Sequence, residues 1–254
     1  MGTLFGTDGI RGPANQHPMT AEMALRVGRA VATFFTAHKG KGNSKIIVGR
    51  DTRVSGQMLE AAMVAGICSA GGDAYLSGVL PTPGVAFTAS AAKANAGVVI
   101  SASHNPFYDN GIKLFRGNGY KLSDEKEAEI EKLILDESMI DQSQTVRETG
   151  TVIMQNNASE NYIAFLKSTL PANISLKSLK IVLDCANGAT FRTAPQLFSD
   201  LGAEVATLGV DPDGKNINHH CGSEHTDGLI KMVLETGTDI GLALDGDGDR
   251  LIAV

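Results

Sequence analysis

Four short apolar runs in this 254-residue chain form two matching pairs, and that duplication constrains the fold more than any other feature. Lys45-Ile46-Ile47-Val48 is echoed by Lys180-Ile181-Val182-Leu183, and Gly97-Val98-Val99-Ile100-Ser101 by Gly241-Leu242-Ala243-Leu244-Asp245. Runs this short, rich in β-branched residues and apolar at successive positions, read as buried strands of α/β sheets. Helical periodicity lies between them. Ser55 to Ala70 is predicted as a helix with apolar positions at Met58, Leu59, Ala62, Met63 and Ala65. Helices are also expected over 83–92, 159–169, 188–201 and 229–235, with a charged helix from a Ser123 cap to about Asp136. Further strands are expected over 74–79, 112–115, 204–208 and 239–244, with a short apolar run at 251–254. The chain therefore reads as two consecutive α/β units. The stretch from Asp136 to Thr151 is polar and aperiodic, which puts the boundary there, with a first domain over 1–150 and a second over 151–254.

In each unit one strand-like run ends abruptly in chemically loaded residues. After Leu244 come Asp245, Asp247 and Asp249, with Gly246 and Gly248 between them. Carboxylates at alternate positions converge where glycines allow tight turning, and like charges in close company raise one another's pKa. A hard divalent cation relieves that repulsion, and an all-oxygen donor set favours Mg²⁺. A solvated acidic turn is the plainer alternative. A helix-loop-helix calcium site is excluded, because Arg250 stands where its glycine belongs. An Asp-x-Asp phosphatase loop fits less well, with Asp249 standing where Thr or Val is usual.

The other loaded loop follows Ile100: Ser101-Ala102-Ser103-His104-Asn105-Pro106, then Asn110-Gly111-Ile112-Lys113. A serine hydroxyl needs a base, a lowered pKa or a metal to act as a nucleophile, and His104 and Lys113 are nearby in sequence. Taken alone, Ser-His-Asn-Pro is also an ordinary turn. No Gly-x-Ser-x-Gly elbow is present for a serine hydrolase.

Together the two loops closely resemble the phosphoserine and metal loops of the α-D-phosphohexomutases. The opening Phe5-Gly6-Thr7-Asp8-Gly9-Ile10-Arg11-Gly12 is similar to that of the bacterial phosphoglucosamine mutase branch. So are Gly49-Arg50-Asp51-Thr52-Arg53 and Asn216-Ile217-Asn218 with Cys221-Gly222-Ser223. The resemblance implies two consecutive mixed-sheet α/β domains of the phosphohexomutase type. It implies Ser103 as the phosphorylated residue, and Mg²⁺ held by Ser103, Asp245, Asp247 and Asp249 with no organic cofactor. Lys113 is implied as general acid/base with His104 assisting, and Arg11 and Arg250 as phosphate ligands. Arg11 is equally readable as a partner of Asp8, and Arg50 and Arg53 as structural partners of Asp51. The implied reaction interconverts glucosamine 6-phosphate and glucosamine 1-phosphate through a 1,6-bisphosphate, for cell-wall precursor synthesis. A phosphorylated hexosamine is the implied partner, with a homodimer through the first domain. A phosphomannomutase/phosphoglucomutase and a non-catalytic phosphosugar- or metal-binding module are the alternatives. Family members are normally four-domain proteins, so the chain is expected to be an N-terminal half, inactive by itself.

Composition narrows the classes further. A net charge of -6 and the absence of tryptophan argue against a nucleic-acid surface. No apolar stretch approaches the roughly 20 residues of a membrane span, and the N-terminus lacks a secretory pattern. Three cysteines, Cys68, Cys185 and Cys221, suit a reducing cytoplasm. The cluster His219-His220-Cys221 with His225 has no standard zinc spacing, and reads as a polar loop.

Overall fold

The computed structural model describes residues 4–37, 42–136, 149–171 and 174–254. The first sheet holds six strands in the order β1-β5-β4-β2-β3-β6. They are β1 (Ile10–Pro13), β2 (Lys45–Arg50), β3 (Asp73–Val79), β4 (Ala96–Ile100), β5 (Asp109–Arg116) and β6 (Val152–Met154). Strands β2, β3, β4 and β6 run parallel, while β5 is antiparallel to β4 and β1 to β5. The second sheet has the order β10-β9-β7-β8, from β7 (Lys180–Asp184), β8 (Glu204–Leu208), β9 (Ile240–Leu244) and β10 (Leu251–Ala253). Here β7, β8 and β9 are parallel and β10 turns back antiparallel to β9.

Alternation along the strands decides what covers each face. Ile46, Val48, Val98 and Ile100 pack with α1 (Ala21–Ala37), α2 (Gly56–Ser69) and α4 (Asp124–Leu135), while Ile47 and Val99 face the opposite layer. That layer is α3 (Thr82–Ala91), which contributes Val85 and Ala89, and α5 (Ala158–Ser168), which contributes Ala158 and Tyr162. Helices α1 and α2 cross closely. A Cβ added at Gly28 would fall on the Met63 carbonyl, and one at Gly66 on the Leu25 carbonyl. In the second unit α6 (Thr193–Asp200) and α7 (Asp227–Thr236) flank the sheet, with Ala194 packed among Ile181 and Leu183 on one face and Leu229 against Val182 and Ala243 on the other.

The two α/β units and most elements match the sequence reading, with corrections. Just past the boundary expected at 150/151 the chain still adds to the first sheet. Val152–Met154 pairs in parallel with β3, and α5 packs on the first sheet. A three-residue edge strand has too little pattern to be seen in sequence. Residues 137–148 of the expected linker lie outside the described residues. Strand β1 and helix α1 have no counterpart in the sequence reading, although α1 buries Met23, Val27, Val31 and Phe34 on one stripe. Helix α6 begins at Thr193 and not at Gly188, because Ala186 and Asn187 take φ of 54° and 49° and the chain turns through residue 192. On α2 the buried stripe is Leu59, Met63, Gly66 and Ile67, while Ala65 is exposed.

Candidate functional site

Both loaded loops leave the C-terminal ends of parallel strands, where α/β sheets present ligand-binding groups. Ser103 follows β4, Asp247 follows β9, and the two units bring these loops together. The Ser103 hydroxyl donates to Asp245 Oδ2 at 2.5 Å. Ser103 is buried and holds φ at 55°, a left-handed conformation costly for a residue with a Cβ.

The three aspartates form a cluster whose ligand atoms lie within 4.8 Å of one another. Asp245 and Asp247 are buried and Asp249 is exposed. Thr82, the first residue of α3, donates its hydroxyl to Asp247 Oδ2 at 2.6 Å and its N–H to the Asp247 carbonyl at 2.8 Å. The positive end of that helix thus faces the carboxylate loop. Lys113 Nζ lies 2.8 Å from Asp247, 3.0 Å from Asp249 and 3.2 Å from Asp8.

These contacts divide the acids electrostatically. Burial, followed by the Asp247 charge, pushes Asp245 up to about 6. Burial alone would raise Asp247 too, but the charge of Lys113 holds it below the usual range. Asp8 is likewise lowered, with Lys113 and Arg11 outweighing its burial. Burial opposes the charge on Lys113, yet its three acidic neighbours raise its pKa well above the ordinary lysine value. His104 is lowered by burial and by Arg250, so it is neutral at pH 7. Its Nδ1 lies 3.4 Å from Ser103 Oγ. Asp247 Oδ1 is buried with no hydrogen-bond partner, and an unpaired buried carboxylate oxygen is costly. A divalent cation between Asp245, Asp247 and Asp249 would satisfy it.

Two family models cover most of the chain: phosphoglucomutase/phosphomannomutase α/β/α domain I matches residues 2–141 and domain II matches residues 160–254. The chain belongs to the phosphoglucomutase/phosphomannomutase family. The phosphoglucosamine mutase of Syntrophus aciditrophicus is 58% identical over 255 residues, covering 100% of this chain and 56% of the relative. That of Syntrophobacter fumaroxidans is 56% identical over 254 residues, again covering 100% of the chain and 56% of the relative. The chain therefore spans little more than half the length of the curated relatives it matches. Among solved structures, a phosphoglucomutase/phosphomannomutase family protein from Burkholderia thailandensis superposes with a TM-score of 0.83 at 30% identity, over 99% of this chain and 54% of its own.

Within this phosphoglucomutase/phosphomannomutase pair of domains, Ser103, His104, Lys113 and the three aspartates converge as expected from sequence. The two arginines do not converge equally. Arg11 pairs with Asp8 at 2.5 Å and reaches the cluster only through that shared carboxylate. The Arg250 side chain is 51% exposed, 3.6 Å from Glu224, while its backbone N–H donates to Asp245 Oδ1 at 3.2 Å. The sequence reading overlooks Thr82 and Asp8 as partners of the cluster, and it assigns no site role to Asp51, Ser101, Arg53 and Asn218. Asp8, Asp51, Arg53 and Asn218 lie in quoted motifs, so a signal existed; Thr82 has none beyond its Pro81-Thr82-Pro83 setting. The histidine cluster is a packed group of rings, with His219 and His220 centroids 4.2 Å apart. Among the described residues the aspartates are the only group of acids, histidines or cysteines with metal-ligand spacing.

Proposed function

We propose that this chain carries the phosphoserine and metal loops of a phosphoglucosamine mutase, which interconverts glucosamine 6-phosphate and glucosamine 1-phosphate. The observation that carries the reading is the Ser103 hydroxyl, buried and aimed at Asp245 beside two further carboxylates. The identity of 58% and 56% to phosphoglucosamine mutases supports that sugar over mannose or glucose. A cytoplasmic site of action is consistent with three free thiols.

In this reading the phosphoryl group resides on Ser103 Oγ. It passes to the C1 hydroxyl of glucosamine 6-phosphate, breaking the Oγ–P bond and forming a 1,6-bisphosphate. After the sugar turns over, the C6 phosphoryl group returns to Ser103 and glucosamine 1-phosphate leaves. Asp245, Asp247, Asp249 and phospho-Ser103 would hold Mg²⁺, which when bound would neutralise charge on the transferring group. Neutral His104, 3.4 Å from Oγ, is placed to accept the proton of the attacking hydroxyl. Lys113, implied by the sequence resemblance as the general acid/base, is kept protonated by Asp247, Asp249 and Asp8 and offers charge to the phosphoryl oxygens, so in this reading the proton falls to His104 instead. Arg11 and Arg250 are suited to the substrate's phosphate, Arg250 by an exposed guanidinium whose ion-pair partner, Glu224, is exposed as well.

Phosphopeptide mapping tests the proposal. The complete protein, incubated with a hexose 1,6-bisphosphate and Mg²⁺, is expected to carry phosphate on Ser103 and not on Ser101. Absence of phosphate at Ser103 after that treatment, or turnover of glucosamine 6-phosphate by Ser103→Ala, rules the mechanism out.

A further inference from the structure

Ser103 keeps its left-handed backbone because both of its peptide groups are gripped from elsewhere. Its N–H donates to Ser101 Oγ at 3.0 Å, and the Ser101 hydroxyl in turn donates to Asp51 Oδ2 at 2.6 Å. That same oxygen accepts from Arg53 Nε at 2.9 Å, and Asp51 Oδ1 accepts the Arg53 N–H at 2.9 Å. Arg53 closes the circuit by donating Nη2 to the Ser103 carbonyl at 2.9 Å and to the Asn105 carbonyl at 2.8 Å. Its Nη1 reaches the carbonyls of Pro106 and Asp109. A second donor to the Ser103 and Asn105 carbonyls comes from the other unit: Asn218 Nδ2, at 2.9 and 3.0 Å. Asp51, Ser101 and Arg53 are fully or almost fully buried. A planar guanidinium spanning four loop carbonyls and one carboxylate fixes geometry in a way a lysine cannot.

We propose that Asp51, Ser101, Arg53 and Asn218 are positioning residues for phosphoryl transfer, forming a clamp that sets the direction of the Ser103 hydroxyl by fixing its backbone. The proposal rests on Ser103 being the phosphorylated residue. None of the four touches the transferring group. Their effect is to keep Oγ aimed between His104 and the carboxylates, against a backbone conformation that a free loop would leave. Pre-set geometry of this kind is realised as rate, since a misplacement on the order of 1 Å costs about 10²-fold. Binding of the sugar phosphate, made by other groups, is untouched.

The test uses the complete enzyme with three variants. Ser101→Ala cuts the link between Asp51 and the Ser103 N–H. Asn218→Gly removes the second donor while tolerating the φ of 56° found at that position. Ser103→Ala controls for the underlying reading. Both clamp variants are expected to lose about 10- to 100-fold in kcat with KM for glucosamine 6-phosphate unchanged, and to accept phosphate on Ser103 correspondingly slowly. A clamp with only a structural role would lower the melting temperature while leaving kcat at the parent value in the folded fraction; that outcome overturns the proposal. So does a rise in KM with kcat unchanged. If Ser101→Ala does not fold, Asn218→Gly decides alone, because its side chain lies in a loop between units and not in the sheet core. Full turnover by Ser103→Ala would instead sink the phosphoserine reading, and is distinguishable because the clamp variants are then silent too.

Discussion

Replacing Gly246 by alanine inserts one methyl carbon between the serine and carboxylate loops. The added Cβ falls 2.6 Å from the Ser103 carbonyl oxygen, 2.8 Å from Asn218 Nδ2 and 2.8 Å from Ile217 Cδ1. An unstrained carbon–oxygen contact needs about 3.3–3.6 Å, so the loops must part by roughly 0.7–1 Å. Gly246 does not occupy the left-handed region, so the backbone itself accepts alanine, and the cost is purely steric. The Ser103 carbonyl is main chain held by Arg53 and Asn218, and it has no rotamer in which to escape. Overpacking of this kind costs about 1–3 kcal/mol, against a gain of about 0.4–1 kcal/mol from the stiffer unfolded chain. The net expectation is a loss of up to about 2.6 kcal/mol, read by urea unfolding, with about a 10²-fold loss of kcat in the complete enzyme. The matched control is Gly228→Ala on α7, where an added Cβ meets nothing within 4 Å. There helix propensity acts unopposed and the variant gains up to about 1 kcal/mol. Gly246→Ala unfolding at or above the parent midpoint, with parental turnover, would refute the steric reasoning.

Other expectations follow from the same contacts. Mg²⁺ raises the unfolding free energy by about 2.7 kcal/mol at a hundredfold excess over its dissociation constant; the gain disappears with chelator and in Asp247→Ala, as scanning calorimetry would record. Lys113→Met strands Asp247 beside two other carboxylates and costs about 3–5 kcal/mol without metal; Mg²⁺ then stabilises this variant by more than it stabilises the parent, and equal increments would contradict the assigned ion pairs. Gly28→Ala and Gly66→Ala each drive a methyl group into a main-chain carbonyl of the facing helix. Either variant is expected to lose about 1–3 kcal/mol despite the helix-propensity gain, and a raised midpoint in a melt would exclude the close crossing of α1 and α2.

Much of this architecture was legible because strand residues buried on both faces must be apolar at every position. The repeat of Lys45–Val48 in Lys180–Leu183 therefore marked β2 and β7, and the second repeat marked β4 and β9. The converging acids were legible too, since three carboxylates at spacing two need a common cation or separate solvent. Edge elements were not. β6 has three residues and owes its place to backbone pairing with β3, which leaves no side-chain period. β1 hid in a glycine-rich segment whose pairing with β5 is likewise main chain. Arg53 looked like an ordinary neighbour of Asp51, because its role depends on four carbonyls 50 to 56 positions away. Nothing local in the sequence encodes that encounter. Thr82 was invisible for the same reason: its carboxylate partner is 165 positions distant.

Asp247 belongs to the second unit, yet the side chains that hold it, Thr82 and Lys113, come from the first. Any cation affinity of the carboxylate loop would therefore depend on the two units being in register. Any tightening of the cation by that register must appear, in equal measure, as a tightening of the register by the cation. A tenfold difference in affinity between seated and parted units is worth about 1.4 kcal/mol of seating. A cation held by the three carboxylates would thereby also act as a clasp, and its occupancy would report how firmly the halves of the molecule are closed upon one another.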